Sequence, residues 1–118
     1  MAIVTITNTR QKIASLRPAN TDEAQLYVFP ASTEGDGVLR VCSQHTSTVK
    51  YRIAHCTAGH GDVAADGDDW IAYDVELIAG DPPHEYSIHG NATETIRIKA
   101  DTADKISFHF SGNLKVTS

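Results

Sequence analysis

Long apolar runs are missing from this chain of 118 residues. Nothing in it approaches the ~20 consecutive apolar residues that cross a bilayer as a helix, so no membrane partner is expected. The first residues, Met1-Ala2-Ile3-Val4-Thr5, carry neither a basic n-region nor an apolar h-region. That start predicts no signal peptide and a chain made in the cytoplasm and soluble there. Basic side chains are scarce: ten Lys and Arg stand against fifteen Asp and Glu, a net charge of -5. The basic residues are scattered, and without a clustered cationic patch a phosphate-binding surface is not expected, which argues against nucleic acid as a partner. Low-complexity tracts and internal repeats are absent too. With 41% hydrophobic and 21% charged residues, what remains has the composition of an ordinary globular domain, and its length fits a single one.

Cysteine is limited to Cys42 and Cys56. Both fall in segments that read as adjacent strands joined by a turn near residues 45–48. A register pairing Val41 with Ile53 sets Cys42 opposite Arg52 and Cys56 opposite Val38. The thiols are then about four residues apart along the ladder, roughly 13 Å at ~3.3 Å per residue. A disulfide needs Cα atoms within about 7 Å, so two free thiols in a reducing compartment are expected. Cys42 and His45 have usable metal-ligand spacing, but no second such pair completes a site.

What is plentiful is period-two alternation; no long window carries apolar residues at helical spacing. Short runs at residues 3–6 and 13–16 come first, then residues 25–29 ending at Pro30, with residues 32–37 as a surface turn. Leu39 and Val41 alternate with Arg40 and Cys42, and Tyr51 and Ile53 with Lys50 and Arg52, the two strands forming a hairpin about residues 44–48. After a polar loop to Asp68, residues 70–78 place Ile71, Tyr73, Val75 and Leu77 on one face. Residues 85–89, 93–99 and 105–111 follow, the last two joined by a type I turn hairpin at residues 101–104. A tail at residues 114–116 adds an edge strand. About eight short antiparallel strands separated by turns predict an all-β domain, a β-sandwich or jelly roll. It spans residues 18–118, with residues 1–17 as an N-terminal strand or arm that packs on its own domain or reaches a neighbour.

Six histidines are dispersed without an HxH or HExxH pair, which reads as surface or interface histidine rather than a metal centre. The densest acidic cluster, Asp62, Asp66, Asp68 and Asp69, is a weak calcium candidate: carboxylates surround a Gly-containing loop, but the EF-hand spacing is absent. Asn91-Ala92-Thr93 matches a glycosylation acceptor and reads as a turn. No GxSxG elbow is present, and Gly59-His60-Gly61 has neither the Lys nor the helix of a phosphate loop. Asp74 and Glu76 fall on a polar strand face. These residues predict no catalytic group and no cofactor. Trp70 and Tyr73 are candidates for a sugar-stacking platform, and Trp70 alternatively caps the core or packs into a partner. Cys42, Lys50, Arg52 and Cys56 are expected to share one outward strand face near a contact, and Trp70 is expected on the rim of the sandwich.

Tyr51-Arg52-Ile53-Ala54-His55 leads through Ala58-Gly59 to Trp70-Ile71-Ala72-Tyr73-Asp74-Val75. Ile78-Ala79-Gly80-Asp81, Thr95-Ile96-Arg97-Ile98-Lys99-Ala100 and Ile106-Ser107-Phe108 before Gly112 complete the series. This order resembles small β-sandwich virion structural proteins of tailed bacteriophages, over residues 20–112. It departs from their pattern after Gly90, where Asn91-Ala92-Thr93-Glu94 replaces a Leu-x-x-Gly-Asp turn. The resemblance implies a non-enzymatic capsid decoration (cement) protein or neck or tail accessory protein. It would form a homo-oligomer, a trimer or dimer, on a major capsid, neck or tail protein, and so reside in the virion. The competing expectation is a carbohydrate-binding β-sandwich of a tail fibre, with Trp70, Tyr73 and the acidic loop forming a calcium-assisted sugar site.

Overall fold

The structure, a computed structural model, describes residues 9–116. These form β1 (Thr9–Leu16), β2 (Ala24–Val28), β3 (Thr33–Ser43), β4 (Val49–Cys56), β5 (Trp70–Leu77), β6 (His84–Gly90), β7 (Thr95–Ala100) and β8 (Ile106–Val116). The strands divide into two antiparallel sheets, one ordered β1-β8-β3-β6 and the other β2-β7-β4-β5. The chain is all-β, as its alternation predicts, and no described helix is long and apolar enough to cross a membrane.

The order of pairing has a simple generator. β1 pairs with β8, β2 with β7, β3 with β6 and β4 with β5. The chain is one long antiparallel ribbon doubled back between β4 and β5. Wrapping that ribbon brings β3 against β8 and β4 against β7, completing both sheets. This is the double Greek key of a jelly roll. Every sequential connection except β4–β5 therefore crosses from one sheet to the other.

That wrapping overturns several local readings. β3 and β4 are not a hairpin: β3 lies between β8 and β6, and β4 between β7 and β5. Cys42 and Cys56 consequently belong to different sheets, both as free thiols, and the Val41–Ile53 register does not exist. The connection at residues 101–104 likewise crosses between sheets instead of closing a β7–β8 hairpin. Residues 114–116 are the end of β8, which runs unbroken between β1 and β3. Of the N-terminal segment, β1 pairs with β8, and the candidate run at residues 3–6 lies outside the described residues.

The turn expected at residues 32–37 is instead largely the start of β3, and the reason is packing. Phe29, fully buried, lies over Gly35 and Gly90, which face each other across the β3–β6 ladder. A Cβ on Gly90 would overlap the Phe29 ring, and one on Gly35 would come 3.0 Å from its Cε1. Glycine stands here so that a ring can lie flat on the sheet, a use of glycine in strands distinct from turning the chain.

The core forms where the two sheets face each other. Leu39 and Val41 of β3 and Phe108 and Phe110 of β8 meet Tyr51 and Ile53 of β4 and Ile96 and Ile98 of β7, all buried. Tyr27, Phe29 and Phe110 pack edge-on or tilted at centroid distances of 5.0–6.4 Å. Tyr51 crosses the core from β4 towards β6, where its hydroxyl hydrogen-bonds with the Tyr86 hydroxyl at 2.5 Å and with His84 Nδ1 at 2.7 Å.

In β5 the expected parity fails halfway. Val75 is partly buried and Leu77 fully, but Ile71 and Tyr73 are exposed and Ala72 is buried. The β4–β5 register shifts between Tyr51 and Ile53 and again between Ile53 and Ala54. Asp74, in the irregular stretch, has φ 51°. A bulge inserts an unpaired residue and exchanges the faces beyond it. This bulge turns two apolar side chains outward.

Candidate functional site

Lys50, Arg52, Ala54 and Cys56 alternate with the core positions of β4 and so face outward. On β7, Thr95, Arg97 and Lys99 do the same. Such a face normally meets solvent, yet Ala54, Cys56 and Thr95 are fully buried and Arg97 is only 5% exposed. The cover is the β4–β5 connection, residues 57–69, together with Glu23.

Arg97 anchors this cover. Its Nε donates to Glu23 Oε2 and its Nη1 to Asp62 Oδ1 at 2.6 Å. Glu23 Oε2 also accepts from the Ala65 N–H at 2.9 Å, so one carboxylate holds both the guanidinium and the loop backbone. Burial works against the guanidinium charge, but Asp62 and Glu23 outweigh it and raise the Arg97 pKa. At the end of the loop the His55 N–H donates to the Asp69 carbonyl at 2.9 Å, and Gly59 N–H reaches the Thr93 carbonyl at 3.2 Å. Gly59 and Gly61 take φ of 79° and 73°, left-handed values that glycine adopts without steric cost and that let the loop reverse around His60. Beside it, His55 Nε2 contacts Glu94 Oε1 at 2.7 Å. Burial alone would raise the Glu94 pKa, but the Asn91 N–H and His55 hold it below the ordinary value.

A second feature adjoins this cover. Arg52 grips Asp74 in two-pronged fashion, Nε to Oδ1 at 2.7 Å and Nη2 to Oδ2 at 3.2 Å. Its guanidinium lies 3.9 Å from the Tyr73 ring centroid and 5.8 Å from that of Trp70. Trp70 and Tyr73 meet edge-to-face at 5.6 Å. Next to them β5 is the outer strand of its sheet and exposes Ile71 (46%) and Tyr73 (55%), with Ile78 (52%) just beyond its end. The result is an apolar strip with one guanidinium–aromatic cluster at its margin.

Of the four residues expected on one face, Lys50, Arg52 and Cys56 do share the outer face of β4. Cys42 is on the other sheet, opposite Ser107 of β8. The acidic cluster divides. Asp62 pairs with Arg97, and Asp66 N–H donates to Asp69 Oδ2 at 2.9 Å, while Asp68 is exposed. Asp69 approaches Cys56 and His60, with one ligand atom of each of the three within 4.8 Å of the others. Among the described residues, the expectation that the histidines and acids stay dispersed fails at this place. Burial, reinforced by the adjacent Asp69 carboxylate, pushes the Cys56 thiol up to about 11, opposite to the low pKa of a nucleophilic cysteine.

Sequence reasoning missed Glu23, His60, Thr95 and Arg97. Arg97 and Thr95 alternate with isoleucines as solvent-facing residues do, and only the folded loop reveals them as covered. The glycines flanking His60 were the available signal. Compared with family models, curated proteins and solved structures, the chain matches none.

Proposed function

We propose that this chain is a non-enzymatic structural component of a tailed-phage virion. It would serve as a capsid decoration (cement) or neck or tail accessory protein, assembled as a homo-oligomer on a major capsid, neck or tail protein. The observation that carries the assembly reading is the β5 margin, where a bulge turns Ile71 and Tyr73 outward on a strand that has one hydrogen-bonding edge unpaired among the described residues. Exposed apolar groups on an unpaired edge are what sheet proteins ordinarily suppress with charge or cover. Retaining them favours a surface that is covered on assembly. The virion assignment leans on the resemblance, whose blocks fall on β4, β5, β7 and β8 and on the connections that follow β4 and β5. The jelly roll is compatible with it, being shared by viral capsid and lectin domains alike.

Sedimentation of the purified chain over a range of concentrations, with mass spectrometry of purified particles, tests this reading. A dimer or trimer converted to monomer by Ile71→Lys with Tyr73→Asp, and many copies per particle, are the expected results. A chain that stays monomeric and is missing from particles refutes it.

The carbohydrate reading has Trp70 beside Gly67 at an open depression in its favour. Against it, Arg52 occupies one face of Tyr73, and Asp62 is engaged by Arg97. Glycan-array binding that disappears with a chelator would favour it over assembly.

A further inference from the structure

Under the loop, three side chains of different donor chemistry converge: the Cys56 thiol at the end of β4, the His60 imidazole and the Asp69 carboxylate. Each is positioned by partners of its own. His60 Nε2 lies 3.1 Å from the Val63 carbonyl and 3.0 Å from that of Ala64. Carbonyls only accept, so they place the ring proton on Nε2 and leave Nδ1 with a free lone pair. Asp69 Oδ2 receives the Asp66 N–H, and the same carboxylate is the hydrogen-bond partner of the Cys56 thiol, whose proton a bound cation would displace. Cys56 is fixed by its strand and fully buried.

A fourth group marks the same place independently. Thr95 stands directly opposite Cys56 in the β4–β7 register, on the same outer face. Paired residues on one face carry Cβ atoms about 4.5–5.5 Å apart, which makes the Thr95 and Cys56 side chains neighbours. Thr95 is 0% exposed, and its Oγ1 is a buried oxygen without a hydrogen-bond partner among the described residues. Buried hydroxyls are nearly always satisfied, and valine would fill the same space without the polar atom. The hydroxyl needs a partner that the described residues do not provide.

We propose that Cys56, His60 and Asp69 form a mononuclear site for a thiophilic divalent cation of the zinc class, with the Thr95 hydroxyl lining its fourth position directly or through one water. Charge balance supports a divalent ion, because one thiolate and one carboxylate neutralise it in a covered site. Loading releases the thiol proton to solvent as the sulfur–metal bond forms. Sulfur and imidazole donors select zinc-like ions over calcium or magnesium, which take oxygen. Bonds of about 2.0–2.3 Å to a tetrahedral ion put its ligand atoms roughly 3.4–3.6 Å apart. Since the three donors already lie within 4.8 Å of one another, each pair closes by at most on the order of 1 Å around such an ion. Cys56 and Asp69 flank the loop and His60 lies within it, so the ion would staple residues 57–69 over Arg97. The inference stands apart from the virion reading, since such a staple suits any use of the outer surface.

The test is cobalt titration of the untagged full chain, stripped with chelator and kept reduced with a phosphine. The expected result is a thiolate-to-cobalt charge-transfer band saturating at one equivalent, with tetrahedral visible bands, and zinc displacing the cobalt. Cys56→Ser abolishes the band, Cys42→Ser leaves it unchanged, and His60→Ala and Asp69→Asn each weaken binding at least tenfold. Because Cys56→Ser could perturb packing, His60→Ala in the loop provides the second readout: zinc raises the melting temperature of the unsubstituted chain and not of this variant. Absence of the band, a band that survives Cys56→Ser, or a zinc-induced shift that survives His60→Ala overturns the proposal.

Discussion

Replacing Arg97 with methionine keeps most of the side-chain volume and removes the guanidinium that anchors the loop. Its two partners contribute unequally. The Asp62 side chain is 75% exposed, so its bond counts as a surface pair of about 0–1 kcal/mol, and the freed carboxylate is solvated at once. Glu23 is only 17% exposed. Breaking a buried pair from one side costs about 3–5 kcal/mol, and the residual hydration of Glu23 reduces that to about 2–3 kcal/mol. The sum is about 3 kcal/mol, within the ~5–15 kcal/mol that stabilises a typical domain, so Arg97→Met should still fold. Urea unfolding followed by Trp70 fluorescence measures the loss. Loop release should appear separately, in a Cys42→Ser background, as reaction of the normally covered Cys56 with an aromatic disulfide. Adding Glu23→Gln should restore part of the stability by removing the stranded charge. A loss below about 0.5 kcal/mol, the usual range for surface changes, with Cys56 still unreactive, would refute the anchoring role of Arg97.

Gly90→Ala should destabilise by about 1–3 kcal/mol or more, because the added methyl overlaps the Phe29 ring and overpacking has costs of that order; denaturant midpoints measure it. Tyr51→Phe should lose about 1 kcal/mol, the net worth of a hydrogen bond whose partners Tyr86 and His84 retain some access to water. Glu94 has its folded pKa depressed, so its contribution is fully present above the ordinary carboxylate value, roughly 4.3, and disappears as pH falls through the lower folded value. Glu94→Gln should flatten the acid limb of the stability curve, and an unchanged limb would contradict the assignment. His89 behaves oppositely: its bond to Asp36 raises its pKa. Stability from that pair is therefore complete below the ordinary histidine value, roughly 6.5, and declines as pH rises through the folded one. Histidine NMR titrations, with and without Asp36→Asn, report the shift directly.

The strands were legible in the sequence because each core strand buries one face, and alternation records that faithfully in β3, β4 and β8. Their partners were not. A polar segment that crosses between sheets uses the same residues as one that closes a hairpin, so residues 44–48 and 101–104 looked like local turns. Glycine misled for a related reason: Gly35 and Gly90 make room for Phe29 inside strands, and a sequence does not distinguish that use from turning. The bulge at Asp74 reversed the faces of Ile71 and Tyr73 with no local marker in composition. In the candidate site, Cys56 and Arg52 were visible as outward residues of β4. The meeting of Cys56 with His60 and Asp69 was not, since it depends on how the loop closes, and the covering of Thr95 and Arg97 depends on the same closure.

A ribbon doubled at β4 and β5 implies an order of events as the protein forms. The pair that can meet early is the one linked by residues 57–69; each successive pair outward must enclose a longer stretch of chain, up to Thr9 meeting Leu114. Loop-closure entropy and non-local pairing slow such a process, so refolding in milliseconds to seconds is expected. The same arrangement leaves Thr9 and Leu114 side by side, so in a chain trimmed to residues 9–116 a short linker could join Thr9 to Val116 while a new opening is made elsewhere. Opening such a circularised chain at residues 57–69 would separate the pair best placed to begin, making that permutant the slowest to refold even if its finished sandwich is unchanged.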